Sequence, residues 1–403
     1  MEEKVARASR LHYKRRESGS KGVILKAKLI LIGKIILTLF ALEIIAGGVI
    51  AYSIWVRIGA KPVSYNVDYY KSGRFIFPKN PNPVHRPLRE EDKLAKRGYA
   101  GWLRFLSRSP NAPDFKLDKI YLRKYDFPNA PDKYNVYWLG HSTTIIELDG
   151  VRLITDPVFG YASPFFLAGR RYDAPALERK ELPNIDIALI SHDHYDHLEY
   201  ATIKRLKNKR TIFVVPLGVG NHLKRWGIED IRIKELGWGD SFSYKGVVIT
   251  AERVIHWTGR LPKYRNSTLA VSYVIKGADK LLFFSGDTGY GKHFKQIREK
   301  YGDFDLAAIE IDGWNPRWSD IHLFPDEVIA ASRDLGAKLL LPIHWGVYDL
   351  AYHRWDESIR EVARLAIESG QRIASPRMGE KLQPLEFLKK EDKEPMWWMY
   401  QKR

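Results

Sequence analysis

The run IDIALI (185–190) leads without a break into SHDHYDHLEY (191–200). A short apolar run of this kind reads as a buried strand. It ends in six positions, His192 to His197, that hold three histidines and two aspartates. So dense a cluster at the end of a core strand limits the fold. The strand must be held inside while its end opens into a loop. Scaffolds of the α/β (α+β) class do this: the core fixes the strands, and the loops at their ends carry the chemistry.

The pattern recurs. KGVVITAERVIHW reads as a strand ending near His256. STLAVSYVIKGADKLLFFSGDTG reads as a hairpin ending at Asp287, and AKLLLPIHWG as a strand ending at His344. VYWLGHSTTIIELDGVRLITDP reads as a hairpin turning at Asp149-Gly150, a strong hairpin signal. RTIFVVP and DLAAIEID are further strands. GVGNHLKRWG, FPDEVIAASRDLG and WDESIREVARLAIESG are helices; the second has Pro325, Asp326 and Glu327 in its first turn and Gly336 just past its end.

Imidazole and carboxylate are the ligands of zinc and similar divalent ions. Alternate residues of a loop turn to one side, so His192 and His194 can share one ion, with Asp196 and His197 facing a neighbour. Asp193 and Tyr195 then point away. A solvated polar loop is the competing reading of the cluster. Taken alone, His256 or His344 would be an ordinary packed histidine, and Asp287 a turn residue. Their shared placement at the ends of apolar strands sets them apart. Seven such ligands suit a two-metal site better than a one-metal site.

The front of the chain makes a different demand. IILTLFALEIIAGGVIAYSIWV (35–56) is 22 residues with one charge, Glu43. As a helix it spans roughly 33 Å, a bilayer core. Trp55 sits at its end, where interfacial aromatics belong. A cleaved signal peptide competes, because Ala51-Tyr52-Ser53 is a small-x-small pattern. Residues 1–34 carry ten Lys/Arg against three Glu. That asymmetry predicts a single-pass protein with a cytoplasmic N-terminus and an extracytoplasmic body.

The 403 residues suffice for one large domain or two ordinary ones. The expected organisation is a basic segment (1–34), an anchor (35–56), an irregular linker packing on the body (57–134), a catalytic body (135–385) and a tail (386–403). Within the linker a short helix is expected near 89–107. The tail PMWWMYQKR joins aromatics to Lys402 and Arg403, a composition suited to a membrane interface; a disordered end is the preferred reading. Net charge is +18, which favours phospholipid headgroups, nucleic acid or phosphorylated substrates as partners. The absence of cysteine excludes disulfides, cysteine ligands and a thiol nucleophile.

The ordered set GRFIFPKNPNP, WLGHST, ITDPVF, SHDHYDHLEY, VIHWTGR, FFSGDTGY, PRW, PDEVIAA and LPIHWGVYDLA, spread over about residues 65–385, resembles the metallo-β-lactamase superfamily. More narrowly it resembles the branch of N-acylphosphatidylethanolamine-hydrolysing phospholipase D and its bacterial relatives. The HxHxDH motif alone is superfamily-level; the ordered set is specific to the branch.

The resemblance implies an αββα sandwich with its site at one edge. By position, His192, His194 and His256 would hold one metal. Asp196, His197 and His344 would hold the other, and Asp287 would bridge them. The cofactors implied are two divalent ions, zinc first, with manganese or iron as alternatives. Asp196, Asp287 and His322 form the implied catalytic set. Ions about 3.5 to 4 Å apart would activate a bridging water for attack on phosphorus. His322 would protonate or orient the leaving alcohol. His141 and Asp156 would orient ligand side chains. The products would be phosphatidic acid and an N-acylethanolamine.

Arg170 and Arg171, after the apolar stretch YASPFFLAG, are candidates to clamp a phosphate; packing with solvated arginines is the alternative. Tyr264 and Tyr273 stand where the branch carries other residues and are candidate substrate contacts. Ala270 is a further departure, and Glu310 and Asp312 add carboxylates where the branch tends to be uncharged. The expected partner is phospholipid in a membrane, with nucleic acid disfavoured and a homodimer as one candidate assembly. Competing functions are hydrolysis of a small soluble phosphorylated or lactone substrate, a nuclease, and a non-enzymatic membrane protein.

Overall fold

The computed structural model describes residues 1–79, 86–88, 109–165, 169–390 and 396–399. The short helix expected near 89–107 lies outside these residues, as do Lys402 and Arg403. The chain forms two compact units, Met1–Val56 and Arg57–Arg403.

The first unit is one helix, α1 (Glu2–Ile58), whose last two residues already belong to the second unit. Its stretch Lys28–Ile58 has the length and composition of a membrane span, a description that a signal sequence also meets. Leu31, Ile36, Phe40 and Ile44 along it are exposed. A helix satisfies its own backbone hydrogen bonds, so such a surface suits hydrocarbon.

The second unit opens with a small hairpin, β1 (Tyr70–Lys71) and β2 (Arg74–Phe75). A seven-stranded sheet holds β3 (Tyr134–Trp138), β4 (Thr144–Leu148), β5 (Val151–Thr155), β6 (Ile187–Leu189), β7 (Ile212–Pro216), β8 (Ile233–Leu236) and β15 (Lys381–Leu382), in the order β15-β3-β4-β5-β6-β7-β8. Strands β5 to β8 run parallel. A six-stranded sheet holds β9 (Ser241–Tyr244), β10 (Val247–Glu252), β11 (Ser272–Lys276), β12 (Leu281–Phe284), β13 (Leu306–Glu310) and β14 (Leu340–Ile343), in the order β14-β13-β12-β11-β10-β9. Here β12 to β14 run parallel. The β4–β5 hairpin turns at Asp149 and Gly150, with φ of 47° and 78°; positive φ at both central residues matches the twist of the paired strands.

Side-chain alternation shows how the layers stack. Tyr273 and Phe284 are cross-strand partners and share one face of the six-stranded sheet. The Tyr273 hydroxyl donates to Ile190 O, just past β6, at 2.8 Å. That face therefore meets the other sheet. Phe283 points the opposite way, its ring 6.1 Å from Phe294 on α4 (His293–Tyr301). Helices α5 (Pro325–Asp334) and α6 (Glu357–Ser369) pack on each other, and α5 packs on β13. Three more short helices are α2 (Tyr200–Lys207), α3 (Gly220–Arg225) and α7 (Pro384–Lys389). This is the αββα sandwich.

Two expectations are corrected. The strand expected to reach His256 stops at Glu252, and residues 253–256 leave the sheet. Within the tail expected to be loose, the described residues 396–399 are anchored: Trp398 is buried in the core, its ring 5.8 Å from Trp345. A large indole gains more from burial than the chain end loses in freedom. The linker likewise belongs to the same unit as the body, with Phe75, Leu117 and Phe127 among its buried residues.

Candidate metal centre

The loops that follow β5, β6, β10, β12, β13 and β14, together with the β3–β4 turn, converge on one cluster. Three groups have ligand atoms mutually within 4.8 Å: His192, His194, His256 and Asp287; His141, Asp196, His197 and His344; and Asp287, Glu310, His322 and His344. The seven residues expected as ligands thus come together from four separate segments.

Asp287 faces both ways. Its Oδ2 lies 3.7 Å from His192 Nε2 and 3.7 Å from His256 Nε2. Its Oδ1 lies 3.2 Å from His197 Nε2 and 3.3 Å from His344 Nε2. On the first side His194 Nδ1 sits 2.8 Å from His192 Nε2 and 3.3 Å from His256 Nε2. On the second side Asp196 Oδ2 sits 3.3 Å from His197 Nε2 and 3.5 Å from His344 Nε2. A tetrahedral ion with bonds of about 2.0–2.1 Å places its ligand atoms roughly 3.3 Å apart. His197 Nε2, His344 Nε2 and Asp287 Oδ1 are buried without a hydrogen-bond partner among the described residues. Buried polar atoms are normally satisfied, so the donor set fits a divalent ion.

The outer ring nitrogens explain the aim of each imidazole. His256 Nδ1 donates to Ile321 O at 3.0 Å and His344 Nδ1 to Asp312 O at 3.1 Å. A carbonyl only accepts, so in both rings Nδ1 carries a proton and Nε2 is the nitrogen turned inward. His197 Nδ1 is 2.7 Å from Asp156 Oδ2, and His192 Nδ1 is 3.0 Å from Ser191 Oγ. Ser191 Oγ in turn donates to Asp156 Oδ2 at 2.6 Å. His141 Nε2 lies 3.0 Å from Asp196 Oδ2. His141, Asp156 and His344 all hold left-handed backbone, with φ of 53°, 33° and 68°. Strain of that kind persists where surrounding structure over-determines it. Gly286 (φ 56°) precedes Asp287, and a Cβ there would lie 2.6 Å from Ser191 Cβ.

The electrostatics divide the rings. Burial pushes His194 and His256 down to about 3 and His192 well below its ordinary value. Burial also opposes the charged form of His197, but Asp287, Asp196 and Asp156 outweigh it and hold its pKa well above the usual range. His344 behaves likewise, beside Asp287 and Asp196.

Apart from His322, the other expected site residues fall elsewhere. His322 borders the cluster, its Nδ1 2.6 Å from Glu310 Oε2. Tyr273 is a core residue, with its hydroxyl on Ile190 O and Val214 O, and so cannot touch substrate. Tyr264 is half-buried and lines a crevice of about 10 Å³ with Ala60, Asp193, His222 and Arg260. Arg171 directs Nη1 to Val158 O at 3.1 Å and Nε to Asp173 O at 3.4 Å, holding backbone in place. Arg170 is exposed and outside the cluster.

Glu310 was met in the sequence only as an unexpected carboxylate. It is fully buried, accepts from Thr288 N at 2.7 Å and ties His322 to the loop of Asp287. The rule that found the other residues, a core strand ending in a polar group, applies equally to LAAIEID and would have found it.

Fold and centre together define a metal-dependent hydrolase. Residues 151–345 match the beta-lactamase superfamily domain. The chain is 39% identical over 255 residues to an uncharacterized protein of Mycobacterium tuberculosis, covering 62% of this chain and 68% of that one. It belongs to the beta-lactamase superfamily. It is also 36% identical over 227 residues to the N-acyl-phosphatidylethanolamine-hydrolyzing phospholipase D 1 of Caenorhabditis elegans, covering 53% of this chain and 64% of that one. Among solved structures, a possible metal-dependent hydrolase from Veillonella parvula superposes with a TM-score of 0.51 at 15% identity, over 62% of this chain and 99% of that one, which shows the fold alone.

Proposed function

We propose that the chain is a membrane-anchored phosphodiesterase of phospholipase D type. Its substrate is N-acylphosphatidylethanolamine or a related phospholipid, and it uses two divalent ions, zinc first. The observation that carries the reading is the Asp287 carboxylate, with one oxygen turned to His192 and His256 and the other to His197 and His344.

His192, His194 and His256 would hold one ion with Asp287, and Asp196, His197 and His344 the other. When bound, such ions polarise a phosphoryl group and acidify water. Asp156 and His141 orient His197 and Asp196. Glu310 fixes His322 by its Nδ1 and leaves Nε2 to exchange a proton with the departing alcohol. The apolar helix α1 supports the choice of a lipid substrate, since a span holds the body at its substrate's surface, with the N-terminus on the Lys/Arg-rich cytoplasmic side. The C. elegans relative, named for hydrolysing N-acyl-phosphatidylethanolamine, supports the same choice.

The test pairs metal analysis with turnover on N-acylphosphatidylethanolamine vesicles and on a soluble phosphodiester. The expected result is two zinc ions per chain and preference for the vesicles, with the preference reduced when residues 1–56 are removed. Turnover of the soluble diester alone, equal with and without residues 1–56, would overturn the lipid reading.

A further inference from the structure

We infer that residues 57–60 clamp the back of the metal loop, and that Arg260 is the positioning residue that joins the two. The inference rests on the reading of the loop's histidines as metal ligands.

Within HDHYDH the ligand candidates alternate with Asp193 and Tyr195. Those two in-between residues face Arg260, which is itself buried. Its guanidinium reaches four backbone carbonyls from two segments. Nη1 donates to Asp193 O at 2.7 Å and Leu198 O at 3.0 Å, both in the metal loop. Nη2 donates to Arg57 O at 2.7 Å and Nε to Ile58 O at 3.1 Å. The Tyr195 ring lies 3.9 Å from the guanidinium, and the Tyr195 hydroxyl donates to Arg260 O at 2.9 Å. Residues 192–199, between β6 and α2, lie outside the sheets, so their shape depends on such bonds.

A second link runs in parallel. Ala60 N donates to His222 Nδ1 at 2.9 Å. That nitrogen is therefore unprotonated, and Nε2 carries the proton, 3.3 Å from Asp193 Oδ2. Asp193 Oδ1 accepts from Gly259 N at 2.7 Å, next to Arg260. Residues 57–60 thus reach Asp193 by two routes, and Asp193 sits between His192 and His194. A planar fork with five donors makes the four-carbonyl contact; a lysine ammonium has three donors and no fork. The segment that leaves the apolar helix is in this way part of what shapes the metal loop.

The test uses the full chain, loaded with zinc and diluted into chelator, with zinc release followed optically. Arg260→Lys is expected to release zinc about tenfold faster, the size of effect seen when groups orienting a ligand are lost. His222→Leu is expected to speed release, and His222→Gln, which keeps an acceptor for Ala60 and a donor for Asp193, to restore it. Tyr65→Phe removes a hydroxyl further along the chain, which donates to Glu235 at 3.2 Å and accepts from Asn221 Nδ2 at 3.3 Å, neither of them in the metal loop, and should leave release unchanged. Release by Arg260→Lys and His222→Leu within about twofold of the parent, or an equal acceleration by Tyr65→Phe, would overturn the clamp. If Arg260→Lys does not fold, the His222 pair decides alone. A parent chain that holds no zinc overturns the metal centre itself, and its own zinc content distinguishes that failure from failure of the clamp.

Discussion

The two halves of the centre use the same kinds of side chain, equally buried, yet they hold protons oppositely. Behind His192 and His256 stand a serine hydroxyl and a backbone carbonyl. Burial therefore wins, and the rings are neutral, the form that ligates. Around His197 stand Asp156, Asp196 and Asp287, and beside His344 stand Asp196 and Asp287. There the carboxylates win against burial, and the rings are held protonated. Under the proposed two-ion reading the first half is ready for a cation, and the second gives up protons to receive one.

The comparison can be broken outright at its shared member. Asp287→Ala should lose both ions and at least about 10³-fold in turnover, measured by metal analysis and initial rates. Activity retained in that variant would sink the two-ion mechanism. Removing one half at a time comes next. His256→Ala and His344→Ala should each keep about half of the parent's metal and lose about 10²-fold in rate.

Asp156→Asn sharpens the difference between the halves. It takes the charge from behind His197 and should weaken the second ion by about 10- to 100-fold, with the first retained. Equal loss from both halves would show that they are not separable. Acid should act in the same order. The raised rings of His197 and His344 stay protonated to higher pH, so affinity in their half rises with pH and is lost first as pH falls. His194 and His256, neutral down to about 3, should keep the first ion longer. Zinc content followed during acid titration checks this, with proton release of about two per chain on loading.

The smallest effect belongs outside both halves. Tyr273→Phe leaves Ile190 O and Val214 O without this donor and should cost about 1 kcal/mol of stability. Its KM should not move, because a core tyrosine touches no substrate.

Much of the centre was legible because its residues announce themselves locally. Three histidines in six positions need no tertiary knowledge, and alternation along a loop separated His192 and His194 from Asp193 and Tyr195. His256, Asp287 and His344 were legible through one rule, that each follows a core strand within a few residues. The same rule covers Glu310, which ends β13. Tyr273 was misplaced for a different reason. Departure from a family pattern marks a position without saying which way its side chain points, and a one-residue step along β11 exchanges the inter-sheet face for the helix face.

The sequence by itself determined the chemistry available: imidazoles and carboxylates without a thiol, set at the ends of apolar runs, behind an apolar helix long enough to span a bilayer. Those follow from residue type and from neighbours in the chain. Only the tertiary structure decided the pairings across long separations: Asp287 between two sets of histidines, Asp156 behind His197, Glu310 on His322, Arg260 between residues 57–58 and the metal loop, and Trp398 in the core. Hydrogen bonds and proton affinities depend on atoms within a few ångströms, and here those atoms come from segments that sequence spacing does not relate.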